Sequence, residues 1–191
     1  RKIKSVFDPL NKMNPGKICT PIGSEAALVS VDDEKRGSFD RQIPLVVRDD
    51  FAEPMSCNGN GLCFNFDTQS PMCPSYKQSR DRRYSPKGRE GLMREWLRQL
   101  SLNATDIQHM EKTASQPLFK RVFNSFTKDK SDFSEEVLES FNQCLACKAC
   151  TSQCPIKVDV PTFRARFLSV YYKKFLRPMK DYLVAGVESL T

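Results

Sequence analysis

The chain has 191 residues, of which 39% are hydrophobic and 10% aromatic, a composition that predicts one domain with an appended piece. No apolar run approaches the roughly 20 residues that cross a bilayer, which excludes a transmembrane helix. The formal net charge of +7 would suit an anionic partner such as nucleic acid. Because metal-bound cysteines are thiolates, however, metal binding by seven of the eight cysteines would cancel much of that charge.

The N-terminal part of the chain shows little periodicity. Residues 1–18 begin like a short helix and end in an Asn-Pro-Gly turn signal. Residues 19–56 are predicted to form an irregular linker with one short strand at residues 43–47, which Pro44 confines to a sheet edge. Since the sequence begins with arginine rather than methionine, we expect it to be a fragment of a longer protein.

Helical patterns dominate from Ser85 onward, so the predicted fold class is mostly α with an irregular N-terminal segment. The first of these helices begins at Ser85, and its apolar face carries Leu92, Trp96 and Leu100. Five further helices are predicted after it. The first is capped by Thr105 or Asp106, and the second carries the apolar stripe Phe119, Val122, Phe123 and Phe126. The third is N-capped by Ser134, with Val137, Leu138 and Phe141 facing inward, and the last two lie between Val160 and Leu190.

Four cysteines near the C-terminal end form a C-x2-C-x2-C-x3-C-P run, made of Cys144, Cys147, Cys150 and Cys154. This spacing is typical of bacterial ferredoxins, in which the first three cysteines bind one [4Fe-4S] cluster and the fourth binds another. Three thiolates in a tight loop can hold three corners of the cube. The fourth lies just before a proline that diverts the chain, and it points away.

The other cysteine group has the pattern C-x5-C-x9-C-P and consists of Cys57, Cys63 and Cys73. A cysteine in place of Asn60 would make it a second C-x2-C-x2-C run followed by Cys-Pro. Gly59 and Gly61 allow the backbone to curl closely around a cluster.

Reciprocal exchange between the groups predicts two ligand sets. Cluster A takes a complete set, Cys73 with Cys144, Cys147 and Cys150. Cluster B takes Cys57 and Cys63 with Cys154, and its fourth position stays open. Asn60 stands there in sequence and is a poor iron ligand; Cys19, water, an empty corner and a three-iron cluster are the alternatives. We interpret Cys19 as an ordinary thiol.

Zinc and disulfides are the other uses of so many cysteines. Zinc sites usually show two separated C-x2-C pairs with four ligands each, a pattern that three cysteines at successive x2 spacings fit poorly. We find no nucleophile elbow, P-loop or dinucleotide fingerprint. The single histidine, His109, limits acid–base chemistry, so no catalytic residue is predicted.

Two basic features have two interpretations each. The run between Arg80 and Arg89 is either a solvated loop or a positive field near cluster A that favours its reduced form. The later helix with lysines and arginine on one side is predicted to pack on the cluster core, with peripheral membrane contact as the alternative. Its apolar residues are Phe167, Val170, Tyr171 and Phe175.

At these motifs the sequence resembles a family. Residues 57–97 and 142–168 resemble the iron–sulfur region of large FAD-linked oxidases of the YdiJ type, the bacterial D-2-hydroxyglutarate dehydrogenases. Residues 1–18 are similar to the closing segment of their FAD-linked oxidase domain. The resemblance implies an α-helical ferredoxin-like iron–sulfur domain at residues 57–180 and the start of a following segment at residues 181–191. Asn60 departs from the four-cysteine first motif of related oxidases.

The resemblance also implies a function. An upstream FAD domain, absent here, would oxidise a D-2-hydroxyacid, and electrons would pass from reduced flavin through the clusters to an external acceptor. The chain would then be part of a cytoplasmic oxidoreductase, or of one peripheral to the inner membrane, without a nucleic-acid partner. The alternative is a basic, cluster-stabilised module that binds nucleic acid, recognisable by steep salt dependence.

Overall fold

The structure, a computed structural model, describes residues 1–30, 32–34, 37–128 and 132–186. Within these ranges the regular structure is helical and contains no strand, which confirms the mostly α class. The α-helices are α1 (Lys2–Phe7), α2 (Leu45–Asp50), α3 (Ala52–Met55), α4 (Pro74–Ser79), α5 (Pro86–Leu102), α6 (Ile107–Lys112), α7 (Leu118–Phe126), α8 (Phe133–Asn142), α9 (Ala149–Gln153), α10 (Val160–Lys174) and α11 (Met179–Gly186). Short 3-10 helices are Ser38–Gln42, Leu62–Phe64 and Arg82–Tyr84.

The chain divides into two compact units, residues 1–38 and residues 39–191. The first contains α1 and is otherwise irregular, and the second contains the remaining α-helices and both cysteine groups. The boundaries predicted after residues 18, 56 and 180 stay predictions. Residues 187–191 of the predicted final segment, and the end of the second C-terminal helix, lie outside the described residues.

The strand predicted at residues 43–47 is wrong, because this stretch begins helix α2. Pro44 lies at the N-cap with φ −54° and ψ 144°, just before the first helical residue. Its ring fixes φ and it lacks an N–H group, and a helix start tolerates both properties. Ile43 and Phe51 flank the helix and are buried in the core, whereas Leu45 and Val46 are exposed. The apolar run is therefore not a strand. It belongs to a short surface helix that the buried residues Ile43 and Phe51 attach to the core.

The core of the second unit forms where α5, α8 and α10 pack together. Phe167 on α10 lies at its centre, with ring centroids 5.1 Å from Trp96 and 5.3 Å from Phe141 in edge-to-face geometry. Buried aromatic pairs of this kind add about 0.5–1.5 kcal/mol each beyond the area they bury. Of the inward positions predicted on α8, Val137 and Phe141 are buried and Leu138 is partly buried. The predicted N-cap Ser134 is wrong, because Asp132 caps the helix by accepting from the Ser134 N–H.

Helix α5 is present as predicted, but its buried face is rotated. Met93, Trp96 and Leu97 are buried, whereas Leu92 and Leu100 are only partly so. The buried stripe continues toward the N-terminal end of the helix through two charged residues, Arg89 and Glu90. A pattern that counts only apolar residues leaves these two out, so the face that it predicts for α5 is rotated away from the face that is buried.

The basic helix α10 packs its apolar side into the core, as predicted. Phe167, Val170, Tyr171 and Phe175 are all buried, so they are not available for contact with a membrane. In the described part of the chain, every helix is too short or too polar to cross a bilayer. By contrast, the three phenylalanines of the stripe predicted on α7 are largely exposed, and its Val122 is partly buried; the phenylalanines are Phe119, Phe123 and Phe126.

Candidate metal centre

Four cysteines predicted to share cluster A lie around one cavity, called site A here. Cys73 comes from the start of α4, Cys144 and Cys147 from the loop after α8, and Cys150 from α9. The cavity holds about 310 Å³ of space between protein atoms, including its opening to solvent. Cys73 and Cys150 are buried and Cys147 is exposed. The structure thus brings together thiols that are far apart in sequence.

A second cavity, called site B, is lined by the cysteines predicted for cluster B. Cys57 and Cys63 contribute from the first group and Cys154 from the end of the second. This cavity holds about 410 Å³ on the same measure. Cys150 and Pro86 line both cavities, so the two sites are adjacent and share a wall.

Left-handed backbone conformations curl the chain around both cavities. In the second cysteine group, Ala146 and Lys148 have φ of 53° and 58°, one on each side of Cys147. In the first group, Gly59 and Gly61 have φ of 72° and 81°, as their predicted role in close turns requires. Left-handed residues other than glycine cost of order 1–3 kcal/mol and concentrate at functional sites.

Two long helices direct backbone N–H groups at cysteine sulfurs. The N–H of Val160, at the start of α10, interacts with Cys150, and that of Lys87, in the first turn of α5, interacts with Cys63. Burial raises the pKa of the Cys150 thiol, and its N–H contact opposes this. Burial likewise raises the pKa of the Cys63 thiol. Helix N-termini favour negative charge, so both helices stabilise thiolates at these positions.

Asn60 lines site B, but its side chain is engaged within its own loop. Its Oδ1 accepts a hydrogen bond from the Leu62 N–H at 3.0 Å, and its Nδ2 donates to Asn58 Oδ1 at 2.9 Å. Cys19, the other protein ligand considered, belongs to the first unit and lines a cavity formed by residues of that unit. Neither arrangement supplies an evident fourth ligand for site B.

Charged residues of α5 lie at both sites, and the sequence patterns assigned a role to none of them individually. Glu90 lines site B, is fully buried and pairs with Lys87 and Arg94. Burial raises the pKa of Glu90, and the two cations oppose this. Arg94 also donates to the backbone carbonyl of Cys57 at 3.2 Å, which fixes the start of the first cysteine loop.

At site A the charged residue of α5 is Arg89, which lines the cavity and is 1% exposed. Its guanidinium donates to Cys73 Sγ at 3.5 Å, Ser75 Oγ at 3.1 Å and the Ser140 carbonyl at 3.1 Å. The signal that could have identified it is its position four residues before the buried Met93, one helical turn along the same face.

The residues present fit an iron–sulfur cluster at site A. Four thiols outside any disulfide line one cavity, and a four-cysteine set is the usual ligation of such clusters. Site B offers Cys57, Cys63 and Cys154, and the fourth cysteine in its lining, Cys150, also lines site A and belongs to the ligand set predicted there. Among the described residues, no three histidine, cysteine, aspartate or glutamate side chains are close enough to hold a single metal ion.

Crossed cysteine groups in a helical scaffold are features of the ferredoxin class of iron–sulfur proteins. Residues 53–158, more than half of the chain, match the 4Fe-4S dicluster domain family, and the chain therefore belongs to that family. The family match therefore supports iron–sulfur cluster binding by this domain. No solved structure gives a significant match to the chain.

Curated relatives confirm the resemblance seen in the sequence. The chain is 56% identical to a D-2-hydroxyglutarate dehydrogenase of Pantoea ananatis and 53% identical to one of Escherichia coli, in each case over 99% of its own length. A Haemophilus influenzae protein of the same name is 50% identical over 98% of the chain. These matches cover 19% of each relative, so the chain spans about a fifth of their length. Neither comparison supports the nucleic-acid-binding alternative.

Proposed function

We propose that this chain is the iron–sulfur electron-transfer segment of an FAD-dependent D-2-hydroxyacid dehydrogenase whose substrate is D-2-hydroxyglutarate. The observation that carries the proposal is the pair of adjacent cavities, each lined by cysteines from both sequence groups. Similarity over almost the whole chain to proteins named D-2-hydroxyglutarate dehydrogenase supports D-2-hydroxyglutarate as the substrate.

In this proposal the chain holds two clusters. Cys73, Cys144, Cys147 and Cys150 hold a [4Fe-4S] cluster at site A, and Cys57, Cys63 and Cys154 hold a second, less complete cluster at site B. Bound clusters accept and release single electrons, which the protein itself cannot do. The shared wall between the sites keeps the path between them short.

The partners proposed are an FAD domain elsewhere in the same full-length protein and an electron acceptor outside it. Residues 1–18 would close the FAD domain, residues 19–56 would link it to the iron–sulfur domain at residues 57–180, and a further segment would begin at residue 181. We propose a cytoplasmic location, because eight free cysteines suit a reducing compartment.

The test uses the full-length protein prepared without oxygen. We expect iron and acid-labile sulfide, and an iron–sulfur EPR signal that develops when D-2-hydroxyglutarate is added. The L-enantiomer is the control and should leave the signal unchanged. Zinc without sulfide would contradict the cluster assignment, and flavin reduction without any cluster signal would contradict electron transfer through this segment.

A further inference from the structure

We infer that Arg89 is a positioning residue that raises the reduction potential of site A through its hydrogen bond to the ligand Cys73. This inference rests on the proposed function, since it concerns the cluster proposed for that site. It assigns a role to one residue of α5 that neither its type nor its place in the basic run distinguishes from the neighbouring arginines.

The first observation is that the Arg89 guanidinium is buried and has no carboxylate partner among the residues that the structure describes. It is 1% exposed, and within the described parts of the chain its hydrogen bonds go to a thiol, a hydroxyl and a backbone carbonyl. Arginine keeps its charge at all ordinary pH values, and buried charges in proteins are nearly always paired. The thiolates of site A are the negative charge that would complete this pair.

The second observation is that two donors converge on one sulfur. Arg89 Nη1 lies 3.5 Å from Cys73 Sγ, and Ser75 Oγ lies 3.6 Å from the same atom. Ser75 Oγ accepts from Arg89 Nη2 at 3.1 Å, which leaves its own hydrogen free for the sulfur. A cysteine that ligates iron is a thiolate and only accepts, so Arg89 and Ser75 both donate to it.

The third observation is that the backbone fixes Arg89 in place. Ser85 caps α5 by accepting from the Gly88 N–H at 2.9 Å, and it donates to the Arg82 carbonyl at 2.7 Å. A Cβ on Gly88 would lie 2.8 Å from Arg83 Cα, so only glycine allows the 3-10 helix to pack this closely on α5. The guanidinium is therefore held at site A rather than reaching it from solvent.

The electrostatic consequence has a definite sign. Reduction adds one electron to site A, supplied in the proposed function by a reduced flavin and passed on to a one-electron acceptor outside the chain. The added negative charge is favoured by a nearby buried cation and by hydrogen bonds to the sulfur. At site B the buried charge is already compensated, because Glu90 pairs with Lys87 and Arg94. The uncompensated cation thus acts at site A.

The experiment measures the midpoint potential of site A in the full-length protein, by EPR during a redox titration with dithionite. The signal of site A is the one that Cys147→Ser removes. We expect Arg89→Gln to make reduction at least tenfold less favourable, a negative shift of about 59 mV for a one-electron couple. Iron and sulfide contents are measured on the same samples and should match the parent protein.

Arg83→Gln is the matched control. It removes a charge from the same basic run, but Arg83 is exposed and paired with Asp81, so solvent screens it and the potential should not move. An unchanged potential in Arg89→Gln, or an equal shift in Arg83→Gln, would overturn the inference while leaving the proposed function intact. Absence of iron and sulfide in the parent protein would instead overturn the proposed function.

A second variant covers the case in which Arg89→Gln cannot hold iron at site A. Arg89→Lys keeps the charge but loses the planar fork that reaches both Cys73 and Ser75. If site A of this variant holds its cluster, an equilibrium constant for reduction roughly threefold or more below that of the parent protein supports the inference. The constant follows from the measured midpoint potential, of which about 59 mV corresponds to a factor of ten. An unchanged potential, or loss of the iron in this variant too, overturns it and leaves Arg89 a purely structural residue.

Discussion

Cys147 and Cys57 belong to different cysteine groups, and the surroundings of the two thiols differ. Cys147 shares site A with three other cysteines. Site B has Cys57, Cys63 and Cys154, its further cysteine Cys150 is shared with site A, and Asn60 lies in its lining. An iron without a thiolate is more open to solvent and more easily lost. Site B should therefore be the labile site.

The two sites can be told apart by single substitutions in the full-length protein. We expect Cys147→Ser to abolish most of the stable cluster signal, because it breaks the complete ligand set. Cys57→Ser should leave much of that signal, since it affects the site that is already incomplete. Iron and sulfide counts with EPR after anaerobic preparation provide the measurement. Equal losses in both variants would mean equivalent sites or one shared site.

Among the elements, the start of α5 makes a close backbone contact that requires glycine at position 88. Gly88 packs against the 3-10 helix Arg82–Tyr84, whereas Gly91, on the same helix, has open space where a side chain would begin. The contact orders the wall shared by both sites, because Pro86 lies in the same turn of α5.

This difference predicts opposite effects for two alanine substitutions. Gly88→Ala should lower the free energy of unfolding by about 2 kcal/mol or more, because the new Cβ overlaps the Arg82 carbonyl and the backbone must move. Gly91→Ala should raise it by about 0.5–1 kcal/mol, since alanine is the better helix former. Urea denaturation followed by circular dichroism measures both, and equal effects would contradict the packing described for Gly88.

On the scale of the whole molecule, stability depends on which aromatic residues the fold buries. The chain contains 13 phenylalanines, and sequence patterns alone treat those of α7 and α10 alike. In the structure Phe167 of α10 is 0% exposed at the centre of the core, whereas Phe123 of α7 is 66% exposed. The two helices therefore contribute very differently to the core.

These two residues form a matched pair for a stability measurement. Phe167→Ala should lower the free energy of unfolding by about 3–5 kcal/mol, because it leaves a cavity between Trp96 and Phe141. Phe123→Ala should change it by less than about 0.5 kcal/mol. Fluorescence of Trp96, the only tryptophan in the chain, reports unfolding directly. A similar cost in both variants would show that α7 is buried in solution.

The sequence by itself determined the chemistry and the class of fold. Cysteine spacing is a property of the local chain, so it indicated iron–sulfur binding without knowledge of the packing, and the crossed ligand sets of four and three cysteines stay a prediction. Helical periodicity likewise located α5, α7, α8 and α10. It failed at residues 43–47, where a short apolar run fits a strand or a helix equally and only burial of its flanking residues decides.

Only the tertiary structure decided what surrounds the cysteines. Arg89 and Glu90 are adjacent in sequence, yet one lines site A and the other lines site B. Which charge meets which sulfur depends on the rotation of α5 against α8 and α10, and that rotation follows from the packing of side chains distant in sequence. Because the Coulomb interaction between a buried cation and a cluster weakens with distance, the electrostatic difference between the sites depends on how the helices pack.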